Sequence, residues 1–191
     1  MKRMLLVIAT ALLTTSVFAA EIDGIKLDDQ VALTAGGPTL VLNGAGKRTW
    51  FLFDVYVAGL YLAEKKSAAA DAIALAGPKR VSMTLLRDLK AEKFVEALNE
   101  GMEANNTPAE LAALKPQIAE LTATMTAIGQ VKKGDIVALD FLPESGTRVL
   151  VNGTERGKPI PGPELYRALL RVWLGDKPVQ ENLKKALLGQ S

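Results

Sequence analysis

Apolar positions along the chain change period several times, and each change marks an element. From Ile22 to Val31 and from Thr39 to Leu42, short β-branched and apolar segments flank Gly36-Gly37-Pro38, which predicts strand, turn, strand. Asn43-Gly44-Ala45-Gly46 has the composition of a further turn. Lys47 to Glu64 is dense in aromatic and β-branched residues at both parities. This predicts two central strands covered on both faces, with a tight turn or bulge near Phe53-Asp54. Ser67 to Leu75 is alanine-rich and helical, ended by Gly77-Pro78. Lys79 to Leu86 alternates, with Val81, Met83 and Leu85 set against Arg80, Ser82 and Thr84, as a strand with one wetter face does.

From Ala91 to Ala104 the period becomes helical, and Phe94, Val95, Leu98 and Met102 form one stripe. Thr107-Pro108-Ala109-Glu110 has the residues of a helix start, and the helix that follows is expected to bend or restart at Lys115-Pro116. Asp135 to Phe141 and Thr147 to Asn152 are expected strands. Asn152-Gly153-Thr154 formally matches a glycosylation acceptor and is better understood as a hairpin turn. Gly162 to Leu188 is helical on both sides of a WLGDKP break. Strands come first and last with helices between and after them and no βαβ alternation, so the fold class is α+β with a largely antiparallel sheet.

The first twenty residues follow another pattern. Lys2 and Arg3 precede an apolar run from Met4 to Leu13, and small residues lead to Val17-Phe18-Ala19, the layout of a secretory signal peptide. The run is too short to span a bilayer, which takes about 20 apolar residues. The expected organisation is therefore a signal peptide over 1–19 and one domain over 20–191, soluble, with no stable membrane insertion after cleavage and a periplasmic or secreted location.

Charge and composition then exclude functions. The 23 basic and 21 acidic residues of the full chain become 21 of each once Lys2 and Arg3 are removed, with no basic stripe for a nucleic acid. Without cysteine there is no thiol catalysis or zinc–thiolate site. Without histidine there is no Ser-His-Asp triad and no imidazole metal site. The glutamates are scattered and nominate no carboxylate pair. Gly153 to Gly162 lacks the lysine-serine ending of a phosphate-binding loop. No cofactor and no metal are expected.

Two residues remain as candidates for ligand binding. Arg48 opens an apolar strand followed by Trp50, Phe51, Leu52 and Phe53, and a cation bordering so much apolar surface either snorkels to water or anchors an anion. Asp54 is the alternative, intramolecular partner. Tyr56 and Tyr61 have opposite parity, so at most one shares a face with Arg48, and a bulge near Asp54 would decide which. A tyrosine hydroxyl beside that arginine would form a carboxylate clamp. Arg87, Asp88, Lys90, Glu92 and Lys93 are expected as surface charges and helix-end partners.

LNGAGKRTWFLFDVYVAGLYL, RVSMTLLRDLKAEKFVEALNEGM and IPGPELYRALLRVWLGDKPVQENLKKALLG occur in the order in which the bacterial exported chalcone isomerase-like family has such segments, and the chain resembles that family over nearly all of its length after the signal. The resemblance implies an open-faced sandwich, an antiparallel sheet with helices packed on one face and a cleft between. Plant chalcone isomerases close a flavanone ring with a strand arginine, a threonine, a tyrosine and an asparagine. Non-catalytic relatives hold a fatty-acid carboxylate with the arginine and a tyrosine. Arg48 matches the arginine, and Tyr56 falls near the threonine or ligand-binding tyrosine. The catalytic tyrosine position falls at about Lys90 and the asparagine position at about Ala97, so both identities are lost. Asn99, two residues on, points roughly 200° away on a helix. The resemblance implies a non-catalytic binder of a fatty-acid-like or other apolar carboxylate. The alternatives are an isomerase, an intramolecular lyase acting on a chalcone-like enone, and a structural or stress-response protein with a vestigial cleft.

Overall fold

The computed structural model describes residues 18–190. The expected signal peptide lies outside the described residues up to position 17, and positions 18 and 19 begin strand β1 (Phe18–Ile22). It forms a separate hairpin with β2 (Ile25–Asp28) across Asp23-Gly24, both at positive φ. Then come β3 (Gln30–Ala32), β4 (Thr39–Trp50), β5 (Phe53–Leu62), α1 (Ala69–Ala74) and β6 (Lys79–Leu85). The middle of the chain holds β7 (Leu89–Lys90), α2 (Ala91–Asn105), α3 (Pro108–Ala113), α4 (Lys115–Thr126) and β8 (Gln130–Val131). The remainder is β9 (Ile136–Leu142), β10 (Gly146–Val151), β11 (Thr154–Ile160), α5 (Pro163–Leu174) and α6 (Glu181–Leu187).

Seven strands form one sheet in the order β11-β10-β9-β6-β5-β4-β3, antiparallel at every junction. The expected α+β sandwich is therefore the fold. On β6 the alternation in the sequence is the alternation in burial: Val81, Met83 and Leu85 are buried among residues of α2 and α5, and Arg80, Ser82 and Thr84 point the other way. Val95, Leu98 and Met102 of α2 enter the same core with Leu165, Leu169 and Trp173 of α5. A smaller cluster on the opposite face joins Leu40, Leu42, Val57 and Tyr61 to Leu27, with Ile22 and Ile25 of the N-terminal hairpin packed on it. Thr107 caps α3 with a full capping box, its hydroxyl accepting from the Glu110 N–H, and the chain restarts as α4 at Lys115-Pro116. Among the described residues no helix is long and apolar enough to cross a membrane.

One expectation is corrected. Asn43-Gly44-Ala45-Gly46 is not a turn but the middle of β4, with a bulge between Leu42 and Gly44. Its glycines serve close approach, because α6 lies against them: a Cβ on Gly44 would stand 2.1 Å from the Ala186 carbonyl oxygen. Asn43, buried at the bulge, donates from Nδ2 to the Leu187 and Lys66 carbonyls (2.7 and 2.9 Å). Gly44→Ala is accordingly expected to push α6 off the sheet and cost about 2 kcal/mol, read from urea unfolding. Gly153 to Gly162, to which the pattern of apolar positions assigns no element, is for the most part β11. It is an edge strand with exposed residues from Thr154 to Lys158, so Pro159 and Gly157 are tolerated and mask its strand character in the sequence.

Candidate functional site

Where the sequence predicts a turn or a bulge near Phe53-Asp54, the β4–β5 hairpin has both, the turn just before that pair and the bulge just after it. Trp50 faces Phe53 across a two-residue turn, Phe51-Leu52, and Thr49 faces Asp54, but Arg48 faces Tyr56. Val55 is the extra residue. Were Val55 regularly paired with Arg48, Tyr56 would stand opposite Lys47 on the other face; with Val55 bulged out, Arg48 and Tyr56 become direct cross-strand neighbours. Tyr56 belongs to the helix-side core and Tyr61 to the cluster on the opposite face, as their parity requires.

Arg48 and Tyr56 line a cavity of about 600 Å³ between the end of the sheet, α2 and α5. Its apolar wall includes Val55, Phe94, Leu98, Val172, Trp173 and Val179, while Arg87, Lys90, Lys93, Glu96 and Glu100 bring charge to it. The guanidinium of Arg48 is half-buried. Its Nη1 donates to the Thr49 carbonyl oxygen and to Gln180 Oε1 (3.2 Å), and the same Gln180 oxygen accepts from the Thr49 N–H at 2.9 Å. The alternative, pairing of Arg48 with Asp54, does not form. Asp54 meets Lys47 at 3.0 Å, and Lys47 also holds Asp23 at 2.6 Å. The bulge accounts for this, since it leaves Asp54 beside Thr49 and next to the turn while Arg48 turns inward. Among the described residues Arg48 has no carboxylate partner, and its Nε and Nη2 have no hydrogen-bond partner.

Tyr56 is buried, and burial pushes its hydroxyl up to about 12, opposed by the Trp173 indole N–H and the charge of Arg48. It is a neutral phenol at any physiological pH. Its oxygen accepts from Trp173 Nε1 at 3.0 Å, so the phenolic proton stays available to an acceptor in the cavity. Tyr56→Phe removes both functions. It strands a buried indole N–H, and unfolding should show a loss of about 1–2 kcal/mol, with a carboxylate ligand in the cavity weakened about fivefold in calorimetric titration.

Sequence reasoning missed Trp173 and Gln180, which arrive from α5 and the α5–α6 connection, 117 and 132 residues away from their partners. Both lie in the WLGDKPVQ segment, which carries part of the resemblance, and the signal was a tryptophan and a glutamine flanking a helix break. Lys90 and Ala97 both face the cavity, so the positions equated with a catalytic tyrosine and asparagine are wall positions occupied by a lysine and an alanine. Asn99 is not among the cavity's lining residues. Among the described residues there is no cluster of carboxylates able to hold a metal ion.

An antiparallel sheet backed by helices on one face, with a cleft between them, is the architecture that the resemblance implies. The chain matches the family model described as chalcone isomerase-like over residues 19–189, and it belongs to that family. Among solved structures, a fatty-acid binding protein of Arabidopsis thaliana superposes with a TM-score of 0.66 at 15% identity, over 86% of this chain and 92% of that one, a likeness of fold. No curated protein matches by sequence.

Proposed function

We propose that this chain is an exported, non-catalytic member of the family that holds a fatty-acid-like or other apolar carboxylate, with Arg48 as charge anchor, Tyr56 as hydrogen-bond donor and the tail between α2 and α5. The observation that carries this reading is a half-buried guanidinium without an acid partner, beside a free phenolic proton, in a largely apolar cavity. A carboxylate is the group that takes up both kinds of donor. The volume lies in the range of about 300–1,000 Å³ usual for small-molecule sites, and each methylene buried there contributes roughly 0.8 kcal/mol. The Arabidopsis protein of like fold is a fatty-acid binding protein, which supports the ligand class. The wall positions Lys90 and Ala97 speak against ring closure by the plant mechanism. Export rests on the layout of residues 1–19. Cleavage after Ala19 would leave the pairs Ala20↔Leu27, Glu21↔Lys26 and Ile22↔Ile25 of the N-terminal hairpin intact.

The test is displacement of a fluorescent fatty acid by palmitate, together with native mass spectrometry of protein recovered from its own compartment and N-terminal sequencing. Displacement, a co-purifying lipid and an N-terminus at Ala20 are expected. Failure of fatty acids of every chain length to bind ends the reading. Cyclisation of naringenin chalcone faster than its spontaneous rate would favour the isomerase instead.

A further inference from the structure

We propose that the tip of the β4–β5 hairpin inserts into the interface of a phospholipid bilayer and seats the mouth of the cavity against the lipid surface. Trp50, Phe51, Leu52 and Phe53 are 56%, 83%, 95% and 54% exposed, consecutive, and at the end of the longest hairpin in the sheet. None of them belongs to either core cluster. Folding does not ask for them. A two-residue hairpin turn with positive φ at its first central position favours glycine, yet Phe51 occupies that position at φ 53°, its ring against Trp50 with centroids 5.0 Å apart. A bulky residue held in a left-handed conformation with its ring in water points to a role outside the folded chain.

The composition points to the occupant. Tryptophan and phenylalanine with leucine, on a narrow projection, are the residues that partition into the headgroup–acyl boundary. Arg87 stacks on Phe53 with its guanidinium carbon 4.7 Å from the ring centre, and Arg87 and Lys90 at the cavity have no carboxylate partner among the described residues. From there both can reach lipid phosphates while their stems lie along apolar surface. Two of the nearby acids are engaged elsewhere: Asp88 accepts from the Lys133 N–H at 2.9 Å, and Glu96 from Lys93, while Glu100 also lines the cavity. A second copy of the chain fits less well. Four such side chains expose on the order of 600 Å², below the roughly 800 Å² per partner of a stable interface, and a convex tip cannot cover itself fully. Trp50 belongs to both the tip and the cavity wall, so a docked hairpin brings the cavity to the bilayer.

Docking is independent of what the cavity holds, and the test keeps the two apart. The full domain is mixed with vesicles of phosphatidylcholine, with and without phosphatidylglycerol, and followed by co-sedimentation, by tryptophan emission and by quenching with lipids brominated near the headgroup. Wild-type protein is expected to sediment with the vesicles, more so with phosphatidylglycerol present, with emission shifted to the blue and quenched. The double variant Phe51→Gly, Leu52→Ser, which relieves the turn and replaces no residue lining the cavity, should partition at least about tenfold more weakly. Its palmitate affinity should match wild type if the cavity binds palmitate. Absence of partitioning into either vesicle overturns the proposal, as does a double variant that partitions as tightly as wild type. Self-association abolished by the double variant, in a protein that ignores vesicles, would overturn it in favour of a second copy on the tip.

Discussion

Arg48→Gln is expected to weaken palmitate binding about 100-fold while leaving the affinity for the alcohol of the same chain length within a factor of about three. Hydrogen bonds to a charged group contribute roughly 1.5–3 kcal/mol, and the upper part of that range applies here because the carboxylate would meet guanidinium nitrogens without another partner in a mostly apolar cavity. Glutamine keeps much of the stem and a polar end, so the tail's surroundings change little. Folding should hardly respond. The native contacts of Arg48 are bonds to the Thr49 carbonyl and to Gln180, and Gln180 retains the Thr49 N–H. Calorimetric titration of both ligands against both proteins measures the effect. An equal loss for acid and alcohol would mean that the substitution has merely reshaped the cavity. No loss for either would remove the cation from the site.

The contrast between Arg48 and Lys47 shows how much of this site could be foreseen. An arginine at the start of an aromatic strand stands out in the sequence, and so does the opposed parity of Tyr56 and Tyr61. What one-dimensional reading cannot supply is the register. A regular two-residue turn would place Val55 opposite Arg48 and turn Tyr56 away; one extra residue reverses this, and either register satisfies the pattern of apolar positions. Elements whose burial follows one period, β6 and α2, were legible because a single packing surface explains each. Asn43 to Gly46 was not, because glycines that admit α6 and glycines that make a turn have the same composition. Trp173 and Gln180 join the site only through the path of the chain, which no local pattern contains. The face of the sheet away from the helices was the least legible, and a charged group at its centre escaped notice.

That group is Asp140, in the middle of β9, where every neighbour from Val137 to Leu142 is buried. The sheet places Arg80 of β6 directly opposite it on one side and Arg148 of β10 directly opposite it on the other. Arg80 makes a bidentate pair with its carboxylate (2.6 and 2.7 Å), and Arg148 Nη2 reaches it at 3.2 Å. The carboxylate is wholly buried, whereas the two arginine side chains are 19% and 13% exposed. A lone buried acid would be costly, but one held by a bidentate and a single arginine contact across three adjacent strands ties β6, β9 and β10 to a single register, since a slip of one residue in either direction would move both guanidinium groups away from the position opposite it. Asp140→Ala is expected to cost about 3 kcal/mol in urea unfolding, near the lower end for breaking a buried pair, because both arginines keep some solvent and Arg148 keeps the Leu33 carbonyl and Glu155. Asp140→Asn, which keeps an acceptor oxygen, should lose less. If the network acts on register more than on stability, replacing all three residues with apolar ones of similar volume should restore most of the unfolding free energy, with amide exchange in β9 and β10 becoming faster. A single Asp140→Ala variant as stable as wild type would mean that the two arginines find water without disturbing the sheet, and that the apolar rows of the other face suffice to set the pairing.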